Sequence, residues 1–501
     1  MTHLDRRRFL TAASCLAATA MLPAPAKANG ELVSPAAMRV DIGILFDAYA
    51  SLHPGLYRYL TPAGFHWERQ RLDRWAATPH TLGDFYLALS AFTASVRCGH
   101  SFLNPANQTQ AVATTLFGKP DRLPFAFTWL DRRMIVTADL GSGHSLSAGS
   151  EIVAIDGIRS RDMLAKMLPY TRTDGSNDGR KMADLGIPGD ADQPMFDVLR
   201  ALLFPSSGTS ARILTRVNER TVAITCPLLT AATRDAALRN PSKSSPYGWT
   251  FKVRGNVGIL TMPTWAVFHE KWDWQGFIDT SVDTAIDRTL SGIVIVVRDN
   301  GGGLDCGAAI VARLIAAPLS GDAYSRHVRY RKIPDRLAPH LKTWDRGFKD
   351  WGASAIGPDA AGFYTVARPG DASDTDTIQP KGRRFAGKVA VLVGPKNASA
   401  TFGFADLMQR HRLGTLIGEQ TGGNRRGING GAFFFVGLPG SGIEVDLPLI
   451  AYWPETPQPD AGVMPDFTAT SRVGDIQAGR DAALARALGV ASSRTSRFPD
   501  W

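Results

Sequence analysis

Cysteine is scarce: the 501 residues hold 4, at Cys15, Cys98, Cys226 and Cys306. So few exclude a small scaffold stapled by disulfides and a cysteine-rich zinc module. Metal-ligand spacing is missing as well. His269-Glu270 does not continue to the second histidine of a zinc-peptidase helix, and no zinc-finger spacing occurs. The sequence therefore predicts no metal site and no cofactor. The uncharged apolar stretch from Phe9 to Leu22 is too short for a comfortable bilayer crossing, so no stable membrane span is expected. The net charge is +10, yet lysine and arginine are scattered and form neither a long basic run nor a basic helix. That pattern removes nucleic acid from the expected partners and leaves weak affinity for anionic surfaces. The apolar fraction of 44% and charged fraction of 20% are ordinary for a soluble globular protein. The length leaves room for two or three domains.

What is present starts with a leader. Asp5-Arg6-Arg7-Arg8-Phe9-Leu10 is a twin-arginine export pattern, and Ala26-Lys27-Ala28 offers a small-x-small cleavage site. Residues 1–28 are thus expected to be a removed signal, and the mature chain to be periplasmic or extracellular. Cys98, Cys226 and Cys306 would remain, enough for at most one internal disulfide.

Two stretches carry the chemistry. From Lys388 the chain reads strand, turn, helix, strand. Val389–Val393 is a short apolar run, Gly394-Pro395-Lys396-Asn397 a turn, Phe402 to about Arg412 a helical pattern, and Leu416-Ile417-Gly418 a second strand. Ser399 falls where strand hands over to helix. Unpaired N–H groups and the helix dipole favour negative charge there, the setting a serine nucleophile needs for its oxyanion. The same position also suits an ordinary serine cap. In the second stretch, Ile293–Val297 reads as a buried parallel strand that runs into Arg298-Asp299-Asn300 and three glycines. Three glycines let the backbone turn sharply and expose N–H groups as an anion-binding nest. Both turns are expected at the carboxyl edge of one sheet, where sites form in α/β folds.

These motifs resemble those of the tail-specific, or C-terminal-processing, serine peptidases, including their tricorn-like branch. Arg298–Gly303 is similar to that family's Arg-Asn-Asn-Gly-Gly-Gly strand end. Ser399-Ala400-Thr401 resembles its Ser-Ala-x-Glu motif, with Phe402 in the glutamate's place. Gly418-Glu419-Gln420-Thr421-Gly422-Gly423 resembles Gly-Glu-x-Thr-x-Gly, and Gly462–Asp466 the closing Gly-Val-x-Pro-Asp. One branch places a dyad lysine after the last glycine; here the residue is Asn424, which does not support a Ser-Lys dyad. The tricorn-like branch uses Ser, His and a carboxylate, and Cys98-Gly99-His100-Ser101-Phe102 looks like its histidine motif.

The resemblance implies an exported serine endopeptidase acting on protein or peptide substrates. Ser399 would be the nucleophile and His100 the base. Asp460, or Glu455 as the lesser choice, would orient the imidazole. Gly301, Gly302 and Ala400 would supply the oxyanion hole. It further implies an α/β catalytic domain at 250–490, a crotonase/ClpP-like sheet flanked by helices, with an insertion at about 320–385. A helical region at 29–105 and a PDZ-like α+β module at 119–239 would precede it. Asp156-Gly157 reads as the tight turn of that module. A small α+β insert without ligand is an equal reading. Two other functions stay open: a non-catalytic peptide-binding relative, and a binder of small apolar ligands. If His100 and the glycine nest share one site, Cys98 and Cys306 come close enough either to bond or to remain buried thiols.

Overall fold

The computed structural model describes residues 32–144, 146–187, 194–217, 220–238, 245–268, 271–320, 324–366 and 377–493. The expected leader, the His269-Glu270 pair and the polar stretch Asp371–Asp376 lie outside the described residues. The chain divides into two compact units. One comprises Met1–Arg239, Tyr324–Asp371 and Arg426–Gln458; the other comprises Asn240–Ala323, Ala372–Arg425 and Pro459–Trp501. The first is called the histidine unit and the second the serine unit, after the candidate residue each contains.

The serine unit is built on a six-stranded sheet in the order Phe467–Thr468, Thr415–Gly418, Lys388–Val393, Gly292–Val296, Val257–Thr261, Thr250–Arg254. All neighbours are parallel except the last strand, which runs antiparallel at the edge. Consecutive residues of the central strands point to opposite faces, yet Ile293, Val294, Ile295 and Val389 to Val393 are all buried. Burial on both faces is why these strands read as continuous apolar runs rather than alternating ones. On one face Val294, Ala390, Leu392 and Ile417 cluster with Ala483, Ala487 and Ala491 of the helix Ala482–Ser492. Alanines spaced by four form one narrow stripe that lets this helix lie close to the sheet. Asp481 caps the helix through Leu484 N–H at 2.9 Å. Its carboxylate also takes both ends of the Arg298 guanidinium, at 2.9 and 2.5 Å. The arginine of the glycine-rich stretch thereby fastens the end of its strand to the last helix.

The histidine unit begins with the helices Pro35–Leu52, Pro62–Trp75 and Leu82–Ser95, whose first turns are closed by the side chains of Ser34, Thr61 and Thr81. Each cap accepts from an N–H that would otherwise lack a partner. A five-stranded antiparallel sheet follows in the order Phe125–Leu130, Arg133–Asp139, Glu151–Ile155, Ser210–Val217, Arg220–Pro227. Asp156 and Gly157 both take positive φ, 51° and 82°, in the two-residue turn that joins Glu151–Ile155 to Ile158–Arg159. A second sheet of six strands has the long hairpin Ile428–Gly437 and Glu444–Pro454 at its centre. The apolar side of that hairpin, including Phe434, Val436, Val445 and Leu447, shares one core with Ile42, Phe46, Tyr49 and Phe92 of the first helices.

This grouping differs from the linear division expected at 29–105, 119–239 and 250–490. The stretch around 320–385 was expected to be a broken polar insertion. Instead it supplies Tyr324–Val328, Leu341–Lys342, Ala355–Ile356 and Tyr364–Val366 to the hairpin's sheet. Its strands are two to five residues long and separated by Gly and Pro, too short for any periodicity to register. Among the described residues no helix is long and apolar enough to cross a membrane.

Candidate active site

The serine turn lies entirely within the serine unit. Ser399 is the first residue of the helix Ser399–Arg410, and it is not the cap. Ala398 holds the cap position, and no side chain closes the turn there. Ser399 instead adopts φ +52°, a left-handed conformation that non-glycine residues take only under constraint. The surroundings supply that constraint. Asn397 is fully buried and uses every hydrogen-bonding group of its side chain. Its Oδ1 accepts from Gly394 N–H at 2.8 Å, while its Nδ2 donates to Val297 O at 2.5 Å and to Asn300 O at 3.0 Å. Its own carbonyl accepts from the N–H groups of Gly422 and Gly423, at 2.7 and 2.9 Å. One asparagine thus joins the glycine turn, the serine turn and the loop after Gly418.

The glycine turn is equally confined. Gly302 takes φ +101° and Gly303 φ +142°. A Cβ on Gly302 would stand 2.8 Å from Ser399 Cβ and 3.1 Å from Ala400 N. A Cβ on Gly303 would stand 2.1 Å from the carbonyl carbon of Trp265. Trp265 is wholly buried and holds this turn from the other side, with Leu304 N–H donating to its carbonyl at 2.8 Å. Its ring meets Phe404 of the serine helix edge-on, with centroids 5.5 Å apart. Phe402, which replaces the glutamate of the resembled motif, is core. Its ring lies against the main chain of Gly423, where a Cβ would come within 2.3 Å of it.

The three expected oxyanion donors fare differently. Gly302 N–H donates to Asn300 Oδ1 at 2.9 Å, so it is already engaged, and its expected role is corrected. Nothing stands within 4 Å of a Cβ placed on the exposed Gly301. Among the described residues no acceptor takes the N–H of Gly301 or of Ala400. Asp460 also lies in the serine unit, where its carboxylate accepts from Nδ2 of the buried Asn424 at 2.6 Å. Around it, residues 421–425 clasp residues 461–463. Thr421 N–H donates to Val463 O at 3.0 Å, Val463 N–H to Thr421 Oγ1 at 2.8 Å, and Arg425 N–H to Ala461 O at 2.8 Å. The closing motif continues this role, since Asp466 Oδ2 accepts from Leu416 N–H at 2.7 Å.

His100 belongs to the histidine unit and is described there by itself. It is partly exposed. Its ring centroid is 5.6 Å from that of Phe433, and a Cβ on Gly430 would sit 3.6 Å from its Cε1. Buried polar groups hold its loop. Asp174 accepts from Gly99 N–H at 2.8 Å, and Arg172 donates to Gly99 O at 3.2 Å. Burial pushes the Asp174 carboxyl above its ordinary range, against the bond from Gly99 and the charges of Arg180, Arg58 and Arg172. In the same unit, His53 Nδ1 accepts from Gly55 N–H at 3.1 Å, so Nε2 carries the proton and faces Ser101 Oγ at 2.8 Å. Burial, with Arg58 adding to it, drives His53 down to about 3, which keeps it neutral. Glu455, the lesser carboxylate choice, is exposed in the same unit.

Cys98, Cys226 and Cys306 are free, buried thiols, so the bond between Cys98 and Cys306 does not form. Burial pushes the thiols of Cys98 and Cys306 up, away from reactivity. Among the described residues no group of three or more His, Cys, Asp or Glu is arranged to hold a metal ion. Sequence reasoning missed Asn300, Asn397 and Thr401. The only available signal was an asparagine at the end of each turn, and asparagine is common in turns for local reasons.

Residues 256–468 match the model of peptidase family S41, so the expected resemblance to tail-specific peptidases holds over that stretch. The chain is also similar in fold to a crystal structure of mature CPAF, at 14% identity and TM-score 0.59, covering 88% of this chain and 94% of that one. A structure of mature CPAF complexed with lactacystin gives 14% identity and TM-score 0.61, covering 91% of this chain and 98% of that one. No curated protein matches the sequence.

Proposed function

We propose that this chain, whose residues 256–468 belong to peptidase family S41, is an exported serine endopeptidase with Ser399 as its nucleophile. One observation carries the reading: Ser399 is held at φ +52° on a strand-to-helix turn, and its side chain does no capping work. Strained backbone of this kind costs of order 1–3 kcal/mol and persists where the surroundings over-determine it, commonly at sites of chemistry. In this reading Ser399 Oγ attacks the scissile carbonyl, and the N–H groups of Gly301 and Ala400 receive the oxyanion. His100 takes the hydroxyl proton and returns it to the leaving amine, with Asp460 as the orienting carboxylate. The sheet of the serine unit would then be the crotonase/ClpP-like core. The five-stranded sheet of the histidine unit would be the PDZ-like module, which offers substrate a strand edge.

A second reading, a peptide-binding relative without catalysis, draws support from the Asn424 bond that already occupies Asp460. A fluorophosphonate probe separates the two. Labelling of wild-type protein that maps to Ser399, together with casein hydrolysis lost in Ser399→Ala, is the expected result. An unlabelled, folded wild type would overturn the enzyme reading in favour of the binding one.

A further inference from the structure

The Asn300–Gly301 peptide is anchored from one side only. Its carbonyl accepts from Asn397 Nδ2 at 3.0 Å and from Thr401 Oγ1 at 2.8 Å. Thr401 is fully buried on the first turn of the serine helix, and its hydroxyl also lies 2.9 Å from Ala398 O. A trans peptide is planar, with its C=O and N–H pointing in opposite directions. Pulling the Asn300 carbonyl inward therefore turns the Gly301 N–H outward, to the side on which Gly301 has open space. The next N–H along, that of Gly302, is turned away by Asn300 Oδ1. Two consecutive peptide planes are thus set by buried side chains, one presenting its N–H and the other withholding it. A glycine nest with nothing holding its planes would rotate freely, because glycine has no side chain to bias φ and ψ.

We propose that Thr401 and Asn397 are positioning residues that aim the Gly301 N–H at the oxyanion. Neither touches the reacting atoms. Thr401 ties this aim to the serine helix itself, so one hydroxyl couples the geometry of donor and nucleophile. The proposal rests on the reading of Ser399 as nucleophile. Complete loss of an oxyanion donor slows acyl transfer roughly a hundred- to a thousand-fold. Thr401 supplies one of two bonds to the anchored carbonyl, so its loss should act through misalignment and be smaller.

The test compares Thr401→Val, of nearly the same shape but without the hydroxyl, with Thr401→Ser, which restores it. Asn397→Ser is the parallel variant should the valine disturb folding. The readouts are kcat and KM on labelled casein and the inhibition constant of the peptide aldehyde acetyl-Leu-Leu-norleucinal, which forms a tetrahedral adduct. Thr401→Val is expected to lower kcat by about tenfold with KM within about twofold, to weaken the aldehyde by the same factor, and to be rescued by Thr401→Ser. A loss of overall packing would not weaken the tetrahedral adduct in step with kcat while sparing KM. Wild type labelled at Ser399, with Thr401→Val unchanged in kcat and aldehyde affinity, overturns the positioning role alone. Failure of wild type to label overturns the nucleophile reading and this proposal with it.

Discussion

The loops that carry Ser399 and His100 are secured in opposite ways. The serine turn is held by neutral groups: the amides of Asn300 and Asn397, the hydroxyl of Thr401, and glycines that fit where no Cβ can. The histidine loop is held by charge. Buried Asp174 sits among Arg172, Arg180 and Arg58 and grips Gly99 N–H, and Arg172 grips Gly99 O. Neutral networks cost little to bury when every donor and acceptor is used, and they do not respond to pH. Buried charges give geometry only while each retains its partners. The serine turn should therefore be insensitive to acid and tolerant of small losses, whereas the histidine loop should fail sharply when one charge is removed.

The largest expected effect tests the serine side for function without stability. Ser399→Ala should lower kcat by a factor on the order of 10⁴ or more. Because no capping bond is lost, the melting temperature should stay within about a degree. Ser399→Gly should be equally inactive yet more stable than the alanine variant by about 1 kcal/mol, since glycine accepts φ +52° without strain. A glycine variant less stable than alanine would show that the turn is not strained.

The contrast itself is broken or upheld by two deletions in urea denaturation. Asp174→Ala leaves Gly99 N–H without its acceptor and takes a carboxylate from beside Arg172, Arg180 and Arg58, the first two of which keep Asp184, and should cost about 3 kcal/mol. Asn397→Ala leaves neutral groups unpaired and should cost about 1–3 kcal/mol. The reverse ranking would mean that the amide network, not the charge cluster, is the more fragile support.

Acid sharpens the same comparison. His53 is held neutral in the folded histidine unit, down to about 3, against an ordinary value near 6.5. The unfolded chain therefore binds the extra proton first. The stabilisation from neutral His53 is present above about pH 6.5 and is lost progressively as the pH falls toward 3. From about pH 6.5 to about pH 5 the contribution of neutral His53 alone should fall by on the order of 2 kcal/mol, read as the difference in slope between wild type and His53→Gln. Asp41 works in the other sense. Burial raises it to about 6, so its contribution fades as the pH rises from its unfolded value through 6. The smallest effect concerns Lys396, half-buried on the serine turn. Lys396→Ala should keep casein hydrolysis within about twofold, while His100→Ala should abolish most of it. The opposite pair of results would transfer the base role to Lys396.

Much of the local structure was legible in the sequence. The β-branched run at 293–297 and the apolar run at 389–393 lie on buried strands, the turn after each lies at adjacent carboxyl ends, and Asp156-Gly157 closes a tight turn. Each follows from neighbours a few residues apart, where side-chain volume, branching and missing N–H groups act directly on the backbone. Only the tertiary structure decided the rest. It moved Ser399 from a cap to a left-handed first residue, engaged Gly302 N–H with Asn300, and paired Asn397 with a carbonyl 100 positions away. It also drew 324–366 and the hairpin 428–454 into one unit with the first helices. Asparagine, threonine and glycine are compatible with many loops. Which buried carbonyl an amide or hydroxyl must satisfy is settled only when distant strands are packed side by side.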